Sequence, residues 1–380
     1  MTGTTSPAPR GLDGVVAVRT RLSHVNGLAG ELIIGGYELK QLAGRVSFEE
    51  AAHLLWRGTL PTADQLEALR REMAALRAVP DETMRLLRAA AGAPPVDALR
   101  MACATLSLDL ADPDDIAPSA DLAAATMLTA RFPTLVAAHA RLSQGLEPVA
   151  PRSDLSPAAN FLYMAHGKEP DPIAARALDT YWVTVIDHGM NASTFTSRVI
   201  ASTRSDMVSA VTGAVGALKG PLHGGAPGPV LDMLADIGSA GRAEAWVRRE
   251  LDAGRRIMGF GHRVYKVRDP RAEVLSRVAD GMGRGHLEDR KLFELARAVE
   301  QTVLKVLEEV KPGRNLRTNV EFYTALVLQS LGLAPRSFVA LFACGRVAGW
   351  CAHVLEQHAE DHLIRPQSEY EGPRGLTVAG

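Results

Sequence analysis

Signals that open and close helices recur along nearly the whole chain, while alternating strand patterns are scarce. That contrast limits the fold more than any other feature. Ser47, with Glu50 three residues on, forms a capping box ahead of the apolar run Ala51, Ala52, Leu54 and Leu55. Ser156-Pro157 opens a second segment, which Gly167 closes. Asp171-Pro172 repeats the opening, and Leu178, Tyr181, Trp182, Val185 and Ile186 then share one face at helical spacing. Asp269-Pro270 starts another helix through Ala272, Leu275 and Val278. A last long helix is expected from near Pro335 to about His358, through Phe338, Leu341, Phe342 and Trp350. The best alternating run is GVVAVRT, near Val15 to Val18, which reads as a short N-terminal hairpin. The expectation is an all-α protein with that one hairpin.

A chain of 380 residues suggests two or three units at roughly 150 residues each, or one large core. Apolar residues form 47% and charged residues 22%, the profile of a compact soluble protein. The 42 basic and 43 acidic residues nearly balance, which argues against a nucleic-acid coat or a polybasic membrane anchor. No continuous apolar run approaches the ~20 residues that span a bilayer. The opening MTGTTSPAPR lacks the pattern of a signal peptide, and residues 1–10 read as a disordered polar lead-in. Cys103, Cys344 and Cys351 suggest no disulfide framework, so a reducing cytoplasm is the expected compartment. Two breaks interrupt the helices, KGPLHGGAPGPV from Lys219 and MGFGHRVYKVRDP from Met258. With the polar breaks GMGRGHLEDR and KPGRNLRT, they outline a smaller unit over 223–335, inserted in a larger one over 11–222 and 336–380.

Several polar residues stand against this apolar pattern. His188 follows the Tyr181–Val185 stripe, and Asn191, Ser193, Thr194 and Arg198 come soon after it. A satisfied core histidine with capping groups would explain these as well as a ligand site would. His223 and His262 are flanked by glycines, which let backbone and ligand approach closely. Arg271 falls in the first turn of a helix, where N–H groups and the dipole suit an anion and the guanidinium adds a fork for a carboxylate. It is equally read as a surface arginine at a helix start. Arg346 shares a face with Phe338 and Phe342, so it must find an anion, either Glu356 or another acid of the fold, or a substrate. Lys266, Arg268, Arg314 and Arg317 are a phosphate cradle or solvated loop charge. HExxH is absent, and nothing in the spacing favours a metal site. Pooled with Glu321 in NVEFY, these residues suggest an enzyme site for a small dianion, with acid–base chemistry beside a carbonyl.

The runs GLDGVVAVRT, FEEAAHLLWRGTLP, RFPTLVAAHARLSQG, LSPAANFLYM, DHGMNASTFTSRVIAST, GALKGPLHGGAPGPVL, MGFGHRVYKVRDPRA, NVEFY and LFACGRVAGWCAHVLEQ together resemble the citrate synthase family, of the bacterial citrate and 2-methylcitrate synthase type. The resemblance implies an all-α, two-domain fold that closes over its substrates and works as a homodimer. It implies condensation of acetyl-CoA with oxaloacetate, and hydrolysis of citryl-CoA to citrate and CoA, as in the tricarboxylic acid cycle. It assigns His223 to the thioester oxygen, His262 to the oxaloacetate carbonyl, and His188, Asn191, Arg271 and Arg346 to oxaloacetate. Arg365, in IRPQS, matches an arginine that reaches the partner's site. Lys266, Arg314 and Arg317 match coenzyme A phosphate contacts. No cofactor is implied as a permanent resident; the coenzyme A thioester is a substrate.

Three departures stand out. Glu321 replaces the aspartate of NVDFY, and its added methylene displaces the carboxylate by roughly 1 Å unless backbone or rotamer compensates. IIGGYEL stands for YRGYDI, and Gly189 for a glutamate after the histidine. Alternatives are a 2-methylcitrate synthase using propionyl-CoA, a non-catalytic homologue that binds acyl-CoA or a dicarboxylate, and a metal-dependent hydrolase using the three histidines.

Overall fold

The computed structural model describes residues 10–12, 14–224, 227–283 and 287–378. The lead-in expected over 1–10 lies outside the described residues except for residue 10.

The start signals act as read. Ser47 Oγ accepts the Glu50 N–H at 3.3 Å while the Glu50 carboxylate accepts the Ser47 N–H at 2.7 Å, opening the helix Phe48–Arg57. Ser156 caps Pro157–His166, with the Gly167 N–H closing on the Tyr163 carbonyl, and Asp171 caps Pro172–Val185. Asp269-Pro270 opens Pro270–Gly283.

The hairpin lies downstream of its expected place. Strands β1 (Ser23–Asn26), β2 (Glu31–Ile34) and β3 (Tyr37–Glu38) form an antiparallel sheet in the order β1-β2-β3, with Val25 opposite Leu32 and Ile34 opposite Tyr37. A strand needs one face in the core. Leu32 and Ile34 supply it, whereas Val15 and Val16 are exposed and form no strand.

One helix organises the core. Phe338–Glu360, preceded by a short 3₁₀ turn at Pro335–Ser337, packs against Phe48–Arg57, Pro118–Leu142, Pro172–Val185, Ala192–Ala201 and Met207–Leu218. The segment Pro335–Glu360 is long and apolar enough to cross a membrane by length and composition, but it is 83% buried within the protein and carries Arg346 and His353. It is a core helix. At Gly349 it comes close to a neighbouring segment: a Cβ there would lie 2.0 Å from the Ile186 carbonyl oxygen. Only glycine lets the chain end of Pro172–Val185 come this near.

A second set of helices, Pro227–Ile237, Ala243–Asp252, Pro270–Gly283, Leu287–Val310 and Val320–Ser330, packs largely on itself. Pro270–Gly283 also leans on Pro172–Val185, which brings the two sets together at the site. There the loop 259–261 pairs with the loop 317–319. The Gly261 N–H donates to the Arg317 carbonyl at 2.8 Å and the Asn319 N–H to the Gly259 carbonyl at 2.9 Å.

Candidate active site

His188 is not on a continuous helix with the stripe before it. Pro172–Val185 stops, the chain turns through Ile186–Met190, and Asn191 caps a new helix, Ala192–Ala201. The break is local chemistry: the Asn191 side-chain oxygen accepts the Thr194 N–H at 3.1 Å and lies 2.8 Å from the Ser193 hydroxyl oxygen. Its amide nitrogen donates to Thr194 Oγ1 and to the Gly189 carbonyl, so the hydrogen bonds of Asn191 stay within the turn. His188 meets the Tyr265 hydroxyl at 3.1 Å and stands edge-on to His262, with ring centroids 5.6 Å apart.

The hydrogen-bond partners settle the tautomers of the other two imidazoles. On His223, Nε2 receives the Ser193 backbone N–H at 3.4 Å and lies 2.7 Å from the Ser193 hydroxyl, while Trp350 donates to that hydroxyl oxygen at 3.1 Å. Nε2 is thus an acceptor, and the ring hydrogen sits on Nδ1. On His262, Nδ1 accepts the backbone N–H groups of Val264 and Tyr265, each at 3.0 Å, which leaves the hydrogen on Nε2. That N–H faces an Arg271 N–H at 3.3 Å. Donor facing donor is no bond; the two converge on a place where an oxygen atom can accept from both.

Burial is the main cause that keeps all three rings neutral, and the cations add to it. His223 and His262 are each lowered to about 4, the first with help from Arg346 and Arg271, the second from Arg271. His188 falls well below its ordinary value, through burial and then the same two arginines.

Arg271 and Arg346 are buried, at 4% and 1% exposure. Asp269 grips Arg271 through Nε at 3.0 Å and Nη2 at 2.7 Å, so its charge is held despite burial. Arg346 has less support: Nε donates to the Val185 carbonyl, the guanidinium lies 4.7 Å over the Phe342 ring, and burial with repulsion from Arg271 brings it down to about 10. Glu356, one acid expected to serve Arg346, instead pairs with the fully buried Arg198 at 2.6 Å. The nearby acid that Arg346 does feel is Asp187. Its low carboxylate pKa reflects His353, Arg346 and Ser23 overcoming the burial that would raise it.

Glu321 sits in the first turn of Val320–Ser330, whose cap, Asn319, accepts the Glu321 N–H at 3.0 Å and donates to the Gly261 carbonyl at 2.9 Å. The same asparagine therefore ties Glu321 to the loop of His262. The carboxyl keeps some access to the cleft but is walled by protein, and this burial raises it to about 7; Arg271 opposes the rise and Asp269 adds to it. A carboxyl of that acidity is suited to take a proton near neutral pH.

The other expected residues divide. Lys266 and Arg314 are exposed, and Arg317 is loosely paired with Glu308 at 3.5 Å; all three lie on or beside the paired loops that carry His262 and Glu321. Arg268 is not in an open cradle, since it pairs with Glu300 at 3.3 Å beneath Tyr323. Arg365 lies in the exposed segment after the last helix, and among the described residues no hydrogen bond or ion pair joins it to the cluster. Three supporting residues were missed as site members: Tyr265, Asp269 and Asp187. Their signals were weak. In the sequence Asp269 carries only the mark of a helix start, and Asp187 only that of a motif.

The arrangement gathers two guanidiniums, each with a carboxylate nearby, and three neutral imidazoles around one carboxyl of near-neutral acidity. Comparisons with known proteins agree with it. The family model "Citrate synthase, C-terminal domain" matches residues 11–367. A citrate synthase of Haloferax volcanii is 40% identical over 97% of this chain and 96% of its own length. A citrate/2-methylcitrate synthase of Bacillus subtilis is 38% identical over 97% of each chain. The crystal structure of the Pyrobaculum aerophilum citrate synthase superposes with a TM-score of 0.90 at 36% identity, covering 99% of this chain and 96% of that one. A ternary complex of carboxymethyl coenzyme A and oxaloacetate with the Thermoplasma acidophilum citrate synthase gives 0.89 at 29% identity, with 97% of each chain covered. The chain belongs to the citrate synthase family and is an acyltransferase of the citrate (Si)-synthase type.

Proposed function

We propose that the chain condenses acetyl-CoA with oxaloacetate and hydrolyses the resulting citryl-CoA to citrate and free CoA. The observation that carries this reading is the convergence of the His262 Nε2–H and Arg271 N–H donors beside a carboxyl, Glu321, raised to about 7. Arg271 and Arg346 hold the carboxylates of the keto-diacid, with His188 beside them. Glu321 takes a methyl proton from the thioester, and the His223 Nδ1–H donates to its oxygen as the enolate forms. The enolate carbon attacks the ketone carbon, whose oxygen gathers charge and is met by His262 and Arg271. Water then cleaves the thioester, and CoA leaves as the thiol.

Lys266, Arg314 and Arg317 receive the coenzyme A phosphates. The unit over 223–335 closes on the larger one and shields the intermediate from bulk water. Two copies form the working enzyme, with Arg365 of each completing the site of the other, in a cytoplasmic setting.

Propionyl-CoA is the second donor to consider, because a relative named for both citrate and 2-methylcitrate synthesis is nearly as similar as those named for citrate alone. One methylene is worth about 1–3 kcal/mol in an apolar pocket, so donor preference is a matter of degree. The metal-hydrolase reading loses its footing: two arginines beside the imidazoles repel a divalent cation, and among the described residues no group of His, Cys, Asp and Glu is arranged to hold one. Thiol release measured with acetyl-CoA and with propionyl-CoA, each with and without oxaloacetate, tests the assignment. Release independent of oxaloacetate would refute it.

A further inference from the structure

We infer that Ser23, on strand β1, is a positioning residue for oxaloacetate binding, because it staples together the two residues on either side of His188. The serine oxygen accepts the Gly189 N–H at 2.9 Å, and its hydroxyl donates to Asp187 Oδ2. His188, between those residues, is thus flanked by a backbone contact at Gly189 and a side-chain contact at Asp187, both made by one serine from a sequence-distant strand.

Asp187 is itself anchored from behind. His353, fully buried, approaches it with Nε2 at 3.1 Å. The other ring nitrogen, Nδ1, faces an Arg198 N–H at 3.1 Å. A guanidinium only donates, so Nδ1 accepts and the hydrogen of His353 lies on Nε2, directed at Asp187. Arg198 continues to Glu356 at 2.6 Å, and Glu356 accepts the Arg21 backbone N–H at 2.9 Å. The path thus returns to the segment leading into β1, two residues before Ser23. This circuit lies outside the set that contacts substrate, yet it determines where the His188 peptide sits.

The same hairpin reaches the second half of the site. In its turn, the Gly27 carbonyl accepts the Lys266 N–H at 2.9 Å, on the loop that carries His262. The fit leaves no room for a side chain, since a Cβ at Gly27 would lie 2.1 Å from the Val264 carbonyl oxygen. One small sheet therefore grips both the His188 turn and the His262 loop.

The inference rests on the reading that His188 faces the keto-diacid, and its test separates the two. Ser23→Ala and Ser23→Thr in the full chain are compared with the parent by calorimetric titration with oxaloacetate, and by steady-state KM and kcat. Ser23→Ala is expected to weaken oxaloacetate binding and raise its KM on the order of tenfold, as loosened positioning of a binding group does. The KM for acetyl-CoA and the melting temperature should stay near the parent's. Threonine keeps the hydroxyl and should restore most of the affinity. Unchanged oxaloacetate binding in Ser23→Ala would overturn the inference while leaving the synthase reading intact. Equal weakening toward both substrates with a lowered melting temperature, or no rescue by threonine, would also overturn it, since that is the mark of a merely structural contact. If the parent released no CoA but bound oxaloacetate more tightly than Ser23→Ala, the synthase reading would fail and the positioning role would stand.

Discussion

At the scale of single residues, the chemistry turns on a carboxyl held near neutrality among imidazoles held neutral. Burial raises Glu321 from 4.5 to about 7. As a base it must be ionised, so kcat/KM should climb as pH rises through about 7, with the slope of one proton. His223 and His262, at about 4, add no second limb in that range. A pH–rate profile for CoA release checks this; a flat profile from pH 6 to 8 would remove Glu321 from the base role. Glu321→Gln should lower kcat by about 10²–10⁴-fold, the usual range for a positioned base. It should not lower stability at alkaline pH. A carboxyl with a raised folded pKa keeps its proton where the unfolded chain has lost it, so stability falls as pH rises from about 4.5 to about 7. The glutamine variant lacks that loss, and calorimetry should show its margin over the parent widening from pH 5 to pH 8.

At the scale of elements, two helix positions make similarly sharp claims. Asp179, on Pro172–Val185, accepts the Phe48 N–H at 3.1 Å, and burial followed by repulsion from Glu49 raises it to about 7. Its penalty is absent below about 3.8 and complete above about 7. Asp179→Asn retains an oxygen for Phe48 and should raise the melting temperature by a few degrees at pH 8 but hardly at pH 4, by scanning calorimetry. Gly349→Ala should have the opposite sign. The added methyl meets the Ile186 carbonyl, so a loss of about 1–3 kcal/mol is expected, measured by denaturant unfolding, together with a raised KM for oxaloacetate as the His188 turn shifts. These elements also show what could be read in advance. Caps such as Ser47, Ser156 and Asp171 are local, and they marked their helices correctly because each acts within three residues. The break after Val185 was hidden, because its cause is the Asn191 cap cutting across an unbroken apolar stripe. The hairpin falls elsewhere because the apolar, β-branched run Val15–Val18 suits a strand but has no core to face. Arg346 was correctly placed in the interior, but its partner could not be named: Glu356 lies ten residues further along the same helix, and Arg198, from another helix, reaches it instead.

At the scale of the whole molecule, the segment after the last helix bears on how the enzyme assembles. From His362 to Val378 the chain forms no helix or strand and is mostly exposed, with Leu363, Tyr370, Leu376 and Val378 all open to solvent. Arg365 lies within it, exposed, and among the described residues it has no hydrogen bond to the pocket. Apolar side chains spaced along an exposed strap are better accommodated on another protein surface than in water, and a second copy supplies that surface in the proposed homodimer. Sedimentation equilibrium should then give twice the chain mass at micromolar concentration. Arg365→Ala should keep that mass, because it removes a charge but none of the apolar contacts, yet weaken oxaloacetate binding by about tenfold or more through the loss of one carboxylate contact. Shortening the chain after Glu360 should instead lower the mass or the dimer's resistance to dilution, as well as activity. Should Arg365→Ala bind oxaloacetate as the parent does, each pocket would be complete within one chain, and the two buried arginines would hold the dianion without help from the partner.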